Sequence, residues 1–364
     1  MESLTSNGGV ESVIMNYYRN INRNNIQFDF LCNTEQVAYE DEINKLGGRI
    51  FRVTARSKNI KKYKKDMKEF FKQNAKNYDT IWVNICSLAN IDYLKYAKKY
   101  GIKRRIIHCH NSQNMDSFIR GLLHKYNKIF LKNYATDFWT CSNDASRWFY
   151  SKKMMQSNKY CVIKNAIDTK KFIFNEKVRN EYRDKLKIND KFVIGNVGRF
   201  HFQKNHPFII KIFNEIHKQK PNSVLLLVGV GPDEDKIRKL VKEYNLENSV
   251  KFLGSRNDVP ELMQAMDIFL FPSLFEGLAL VAIEAQTAGL PVFASDKVIA
   301  SETKIDNTIF NFISLDENES YWAQAILKFD NNKSQRNSNE ELIKESGYDI
   351  KVEALKLEEK LKNT

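Results

Sequence analysis

Short apolar runs rich in β-branched and aromatic residues alternate along this chain with longer stretches of helical periodicity. In the first half, Gln27–Leu31, Arg49–Val53, Thr80–Asn84, Arg105–Cys109, Phe138–Thr140 and Cys161–Lys164 predict strands. Glu11–Ile21, Tyr63–Gln73, Ile91–Tyr100 and Asp116–Lys132 predict the helices between them. The second half repeats the rhythm, with strands Phe192–Val197, Ser223–Val228, Val250–Leu253, Ile268–Phe271 and Pro291–Ala294. Its helices are His206–Lys218, Asp233–Tyr244, Val259–Ala265 and Ala279–Ala288, and Tyr348–Leu361 reads as a last amphipathic helix. Such alternation predicts an α/β chain of parallel sheets covered by helices on both faces. Two series predict two doubly wound, Rossmann-like domains. The polar stretch between Asn165 and Asp190 holds the boundary, which divides the chain into domains 1–170 and 171–345 with a helix over 346–364.

Composition narrows the class. The chain has 364 residues, 42% hydrophobic and 28% charged, enough for two packed cores and too apolar for wholesale disorder. No apolar run is long enough to span a bilayer, and the first residues do not read as a signal peptide. Cys32, Cys86, Cys109, Cys141 and Cys161 form no C-x-x-C pair, which favours reduced, mostly buried thiols in the cytoplasm over disulfides or zinc. The net charge of +14 is one-sided, because residues 1–164 carry +15 and the remainder −1. A basic half predicts peripheral contact with an anionic membrane, through Lys58 to Lys76 and the Lys103-Arg104-Arg105 cluster. A solvated, lysine-rich helix face is the plain alternative. No nucleic-acid-binding motif accompanies the charge.

Two segments carry candidate chemistry. In Phe271-Pro-Ser-Leu-Phe-Glu-Gly-Leu-Ala-Leu-Val-Ala-Ile-Glu284 a buried strand runs into a turn with Glu276 and then into a helix carrying Glu284. Strand carboxyl ends are where open α/β sheets bind ligands. The free amides of Gly277, Leu278, Ala279 and Leu280 there would attract an anion, while the carboxylates suit sugar hydroxyls. In Gly195-Asn-Val-Gly-Arg-Phe-His-Phe-Gln-Lys204 a second strand ends in a loop offering Arg199 and Lys204, a natural clamp for a departing diphosphate. Asn7-Gly8-Gly9 before a helix is how a first strand hands over to its helix, yet almost no strand precedes it. The expectation is a start inside that strand, with Met1 to Leu4 as its end and a sheet position left empty.

Glu276 and Glu284, with seven residues between them, together with Pro272-Ser-Leu-Phe-Glu-Gly, Val197-Gly-Arg199, Val228-Gly-Val-Gly-Pro232 and Phe252-Leu-Gly-Ser-Arg-Asn-Asp-Val-Pro260, resemble the donor-binding half of the retaining family 4 glycosyltransferases. Val162–Phe172 is similar to that family's interdomain passage and Asn7–Glu11 to its glycine-rich first loop, so the resemblance reaches nearly the whole chain. It departs at Ala279, where the family has proline.

The resemblance implies a GT-B fold, two domains facing across a cleft. It implies a metal-independent, retaining hexosyltransferase without cofactor, moving a sugar from a nucleotide sugar, most simply a UDP-sugar. The acceptor would be a glycan or lipid-linked glycan at the cytoplasmic membrane face, in capsule or exopolysaccharide assembly. Arg199 and Lys204 would bind the diphosphate, Glu284 the ribose, Glu276 the donor sugar, Gly8 and Gly9 the phosphates from the other domain, and Arg256 the nucleobase. The family's active-site histidine maps to His110, with His108 as the neighbour on the same strand face. A nucleotide-sugar 2-epimerase on the same fold, or a non-catalytic descendant, are the rival readings.

Overall fold

A computed structural model describes residues 9–37, 39–111, 118–276, 279–296, 303–331, 336, 338 and 340–362. Gly8, Gly277 and Leu278, like Met1 to Leu4, lie outside the described residues. The chain forms two compact units, Met1–Ala166 with Ile350–Thr364, and Ile167–Asp349.

The first unit contains β1 (Phe30–Cys32), β2 (Ile50–Arg52), β3 (Thr80–Ile85), β4 (Arg104–Cys109), β5 (Asp137–Thr140) and β6 (Tyr160–Val162). All pairings are parallel, but they make two sheets, β1-β2 and β3-β4-β5-β6. Among the described residues no strand joins β1 to β3. A cavity of about 470 Å³ lies there, lined by Gln27–Leu31 on one side and Asn77–Asn84 on the other. β1 therefore begins three residues later than its apolar run suggests, because its first residues have no ladder partner. The two sheets are tied at one end. Asp29 accepts from Arg49 at 2.7 Å and from the Tyr78 hydroxyl at 2.7 Å, and Phe28 meets Trp82 edge-on at 5.7 Å.

The helix Gly9–Asn20 buries Val13, Ile14, Met15, Tyr17 and Tyr18 and packs on the terminal helix Ile350–Lys362, which belongs to this unit. The Lys103-Arg104-Arg105 cluster is not a docking patch. Arg104 is buried, paired with Asp137 at 3.0 Å and donating to Leu361 O, because the β4–β5 edge and the terminal helix enclose it. Arg105 is spent on the carbonyls of Ile102, Lys103 and Tyr134. All five cysteines are free thiols, although Cys86 is exposed rather than buried.

The second unit holds β7 (Phe192–Val197), β8 (Ser223–Val228), β9 (Val250–Gly254), β10 (Ile268–Phe271), β11 (Val292–Ser295) and β12 (Phe310–Ile313), in the parallel order β12-β11-β10-β7-β8-β9. β7, β8 and β10 are central and nearly all their residues are buried, as expected of strands covered on both faces. The polar stretch expected as a linker is mostly structured. Helix Glu176–Leu186 belongs to this unit, where Arg179 and Arg183 both reach the buried Asp267, at 2.5 and 3.3 Å. Among the described residues no helix is long and apolar enough to cross a membrane.

Candidate active site

β7 and β10 are neighbours in the sheet, so their carboxyl ends deliver their loops side by side. After β7, the amides of Gly198 and Phe200 bond to Val228 O and Val230 O, at 2.9 and 3.0 Å. Gly229, at φ +138°, lets the two loops touch, since a Cβ there would sit 2.0 Å from Gly198 O. Arg199 is thus held on both sides by its backbone. Its side chain is exposed and, among the described residues, has no hydrogen-bond or ion-pair partner.

The next turn, Phe202–Lys204, is stitched to the segment after β10. Gln203 O accepts from Leu274 N at 2.8 Å, and its amide donates to Phe275 O at 2.9 Å. Asn205, in the left-handed region at φ 54°, donates to Pro272 O at 3.1 Å. These bonds place Lys204 Nζ 2.7 Å from Glu276 Oε1 and 4.7 Å from the centre of the Phe271 ring. Gln203 and Asn205 were not singled out in the sequence; their signal is position beside Lys204, in a turn that must be fixed by side-chain amides.

The helix that follows is Leu280–Thr287, with Ala279 before it at φ −79° and no side-chain cap. Glu284 stands one turn past its start and, among the described residues, its carboxylate has no hydrogen-bond partner. Burial raises its carboxyl to about 7. Arg256 is already engaged. It forms a two-pronged pair with Asp258 at 2.7 and 2.5 Å, and Tyr182 donates to the same carboxylate. That guanidinium pulls Asp258 down to about 2.

In the first unit, His110 follows β4 directly and its amide bonds to Ile85 O at 3.1 Å. Its Nε2 lies 2.9 Å from Asn84 Oδ1, an acceptor, so Nε2 carries the proton and Nδ1 the lone pair. Burial pushes the ring down to about 3, leaving a neutral imidazole. Asn84, the β3 partner of His108 two residues back, is the positioning group that the sequence did not reveal. His108 is fully buried and stacks on Trp82 at 5.7 Å, a packing role. Gly9 opens the first helix, and a Cβ there would meet nothing within 4 Å.

Known proteins fit this arrangement. The profile of glycosyl transferases group 1 matches residues 178–346, and that of glycosyltransferase family 4 matches residues 7–171. A Bacillus subtilis protein named as the glycosyltransferase EpsF is 32% identical over 88% of this chain and 84% of its own length. Staphylococcus aureus CapH, a capsular polysaccharide biosynthesis glycosyltransferase, is 26% identical over 98% of this chain and 96% of its own. An Escherichia coli α-1,3-galactosyltransferase acting on GlcNAc-diphosphoundecaprenol is 32% identical over 48% of this chain and 46% of its own. Among solved structures, Anabaena HepE with UDP-glucose superposes with a TM-score of 0.82, at 18% identity, over 100% of this chain and 98% of that one. With both halves matched and a relative aligned over most of its length, this chain belongs to the family 4 glycosyltransferases of GT-B fold, enzymes of polysaccharide biosynthesis.

Proposed function

We propose that this glycosyltransferase moves a sugar from a UDP-sugar to a lipid-linked glycan, with retained anomeric configuration and without a metal. The observation that carries the reading is the juxtaposed pair of loops after β7 and β10, where Lys204 meets Glu276 while, among the described residues, the Arg199 and Glu284 side chains have no partner. Arg199 and Lys204 take up the donor diphosphate and stabilise the charge that grows as it departs. The free amides at the start of the Leu280–Thr287 helix add partial positive charge. Glu284 holds the ribose hydroxyls and Glu276 the donor sugar near its reacting carbon. Arg256 borders the nucleobase, with Asp258 fixing its plane.

The acceptor hydroxyl enters on the face the nucleotide leaves, and the departing diphosphate oxygen takes its proton. His110, neutral and fixed by Asn84, lines the acceptor side. The UDP donor is supported by the ligand of the HepE structure, and the lipid-linked acceptor by the named substrate of the Escherichia coli relative. The +15 charge of residues 1–164 supports peripheral work at an anionic membrane face.

The test is incubation with a panel of nucleotide sugars, reading nucleotide release with and without an undecaprenyl-diphosphate glycan. Acceptor-dependent release of UDP and an α-linked product from an α-linked donor are expected. Isomerised free donor without acceptor would overturn the reading in favour of an epimerase.

A further inference from the structure

An exposed aromatic ledge adjoins the Lys204–Glu276 pair. Phe202, in the turn after β7, is 53% accessible, and Leu274, in the segment after β10, is 44% accessible. The Phe202 ring lies 5.6 Å from the ring of Phe275, inclined at 56°, and 4.4 Å from that of His201. Phe275 is half-buried and directly precedes Glu276. The bonds that join the two loops also fix the ledge. Leu274 N donates to Gln203 O, and Gln203 Nε2 donates to Phe275 O and reaches Glu276 Oε2 at 3.4 Å. Singly exposed apolar residues are ordinary; an aromatic pair and a leucine gathered by two stitched loops form a surface set before any ligand arrives.

Sheet order selects the occupant. β9, whose following loop carries Arg256, is separated from β7 by β8 and from β10 by β8 and β7. At ~4.8 Å per strand, the base end of a nucleotide sugar then lies about 10 to 15 Å from the loops of the ledge. The reacting carbon is at the end of the donor remote from its base, so these loops hold that end. Lys204 and Glu276, both largely buried, take the diphosphate and the donor sugar, while the ledge beside them is open to solvent. An incoming acceptor ring needs such an open surface next to the reacting carbon. A pyranose carries C–H groups on its faces and hydroxyls around its rim. An aromatic face receives the first, and the ring nitrogens of His201 can meet the second. A protein partner is a poorer fit, because three side chains fall far short of the ~800 Å² per partner of a stable interface.

We propose that the Phe202–Phe275 ledge is the acceptor platform of this enzyme, with Phe202 stacking on the apolar face of the sugar that receives the new bond. The platform orients that ring so that its hydroxyl faces the carbon held beside Glu276. The proposal rests on the glycan-acceptor reading and deepens it by giving the acceptor ring a place on the second unit.

The test is steady-state transfer by the full chain to GlcNAc-diphosphoundecaprenol and other undecaprenyl-diphosphate glycans in detergent, with the nucleotide sugar that supports it. Phe202→Ala, Phe202→Leu and Phe202→Trp are compared with the wild type, together with UDP affinity by calorimetry and thermal melts. Phe202→Ala and Phe202→Leu should raise the acceptor KM at least ~10-fold, and Phe202→Trp should keep it within about threefold. UDP affinity should stay within about twofold in all three, at an unchanged melting temperature. An acceptor KM unmoved by loss of the ring overturns the proposal. So does an equal loss of UDP affinity, which would place the ring on the donor, or recovery by leucine as complete as by tryptophan. A wild-type enzyme that releases UDP but transfers sugar to none of these glycans overturns the glycan-acceptor reading itself, and the platform with it.

Discussion

Lys204 Nζ and Glu276 Oε1, 72 residues apart in sequence, meet at 2.7 Å with both side chains largely buried. The cation assigned to the donor diphosphate is neutralised by the carboxylate assigned to the donor sugar until the donor arrives. Breaking such a pair from one side leaves an uncompensated charge, at a cost of about 3 kcal/mol. Lys204→Met and Glu276→Gln should each lower stability on that scale and reduce turnover about 100-fold. Combining them should restore much of the stability and none of the turnover. Thermal melts and steady-state kinetics of the three variants decide it; full additivity in stability would show that the pair does not couple.

Arg199 separates the two effects. Its side chain is exposed and, among the described residues, unpartnered, so Arg199→Ala should leave the melting temperature where it is. Turnover should fall about 100-fold, corresponding to ~3 kcal/mol of lost transition-state stabilisation, with a smaller change in donor affinity. Near-normal turnover would remove Arg199 from the diphosphate clamp.

Glu284 sets a pH dependence. With its carboxyl raised to about 7 in the free protein, it is largely protonated at pH 6 and ionised at pH 8. A carboxylate accepts from ribose hydroxyls better than the acid does, so UDP affinity should rise between pH 6 and 8. Glu284→Gln should flatten that profile. The same group makes the folded protein bind more protons than the unfolded chain. Its contribution to stability is complete below the ordinary carboxyl range and is lost as pH rises through about 7. Titration calorimetry across the range reads the first effect and thermal melts the second.

Metal independence is tested by chelation. In the proposed mechanism Arg199, Lys204 and the helix-terminal amides would supply the fixed positive charge that a divalent ion provides elsewhere. Turnover should persist in excess EDTA. Loss on chelation with recovery on magnesium or manganese would show that these groups do not suffice.

Burial decided how much of this was legible in the sequence. Phe192–Val197, Ser223–Val228 and Ile268–Phe271 are predominantly apolar runs bounded by turn residues, and the structure places strands over the same residues. β12 escaped because Phe310-Asn-Phe-Ile is only four residues, with Asn311 half-buried at the sheet edge. Arg199, Lys204 and Glu276 were legible as candidates just past strand ends, and Glu284 as one on the helix that follows. The bond between Lys204 and Glu276 was not, since it depends on side-chain amides joining two separate loops. Periodicity likewise announced a helix before Lys132 without saying which face turns inward. That choice was made by His124 and Asn127, which satisfy both backbone groups of Leu88.

The separation of β1-β2 from β3-β4-β5-β6 divides the first unit into regions of unequal opening cost. An isolated pair of three-residue parallel strands is marginal, so this leaf depends on its attachments. Asp29 is the principal one, accepting from Arg49 and Tyr78 together. In hydrogen–deuterium exchange the amides of Phe30–Cys32 and Ile50–Arg52 should therefore lose protection well before those of Thr80–Ile85. Asp29→Ala should speed the first group while leaving the second unchanged, making the pair a subglobal unfolding unit that opens while the four-stranded sheet beneath His110 stays closed.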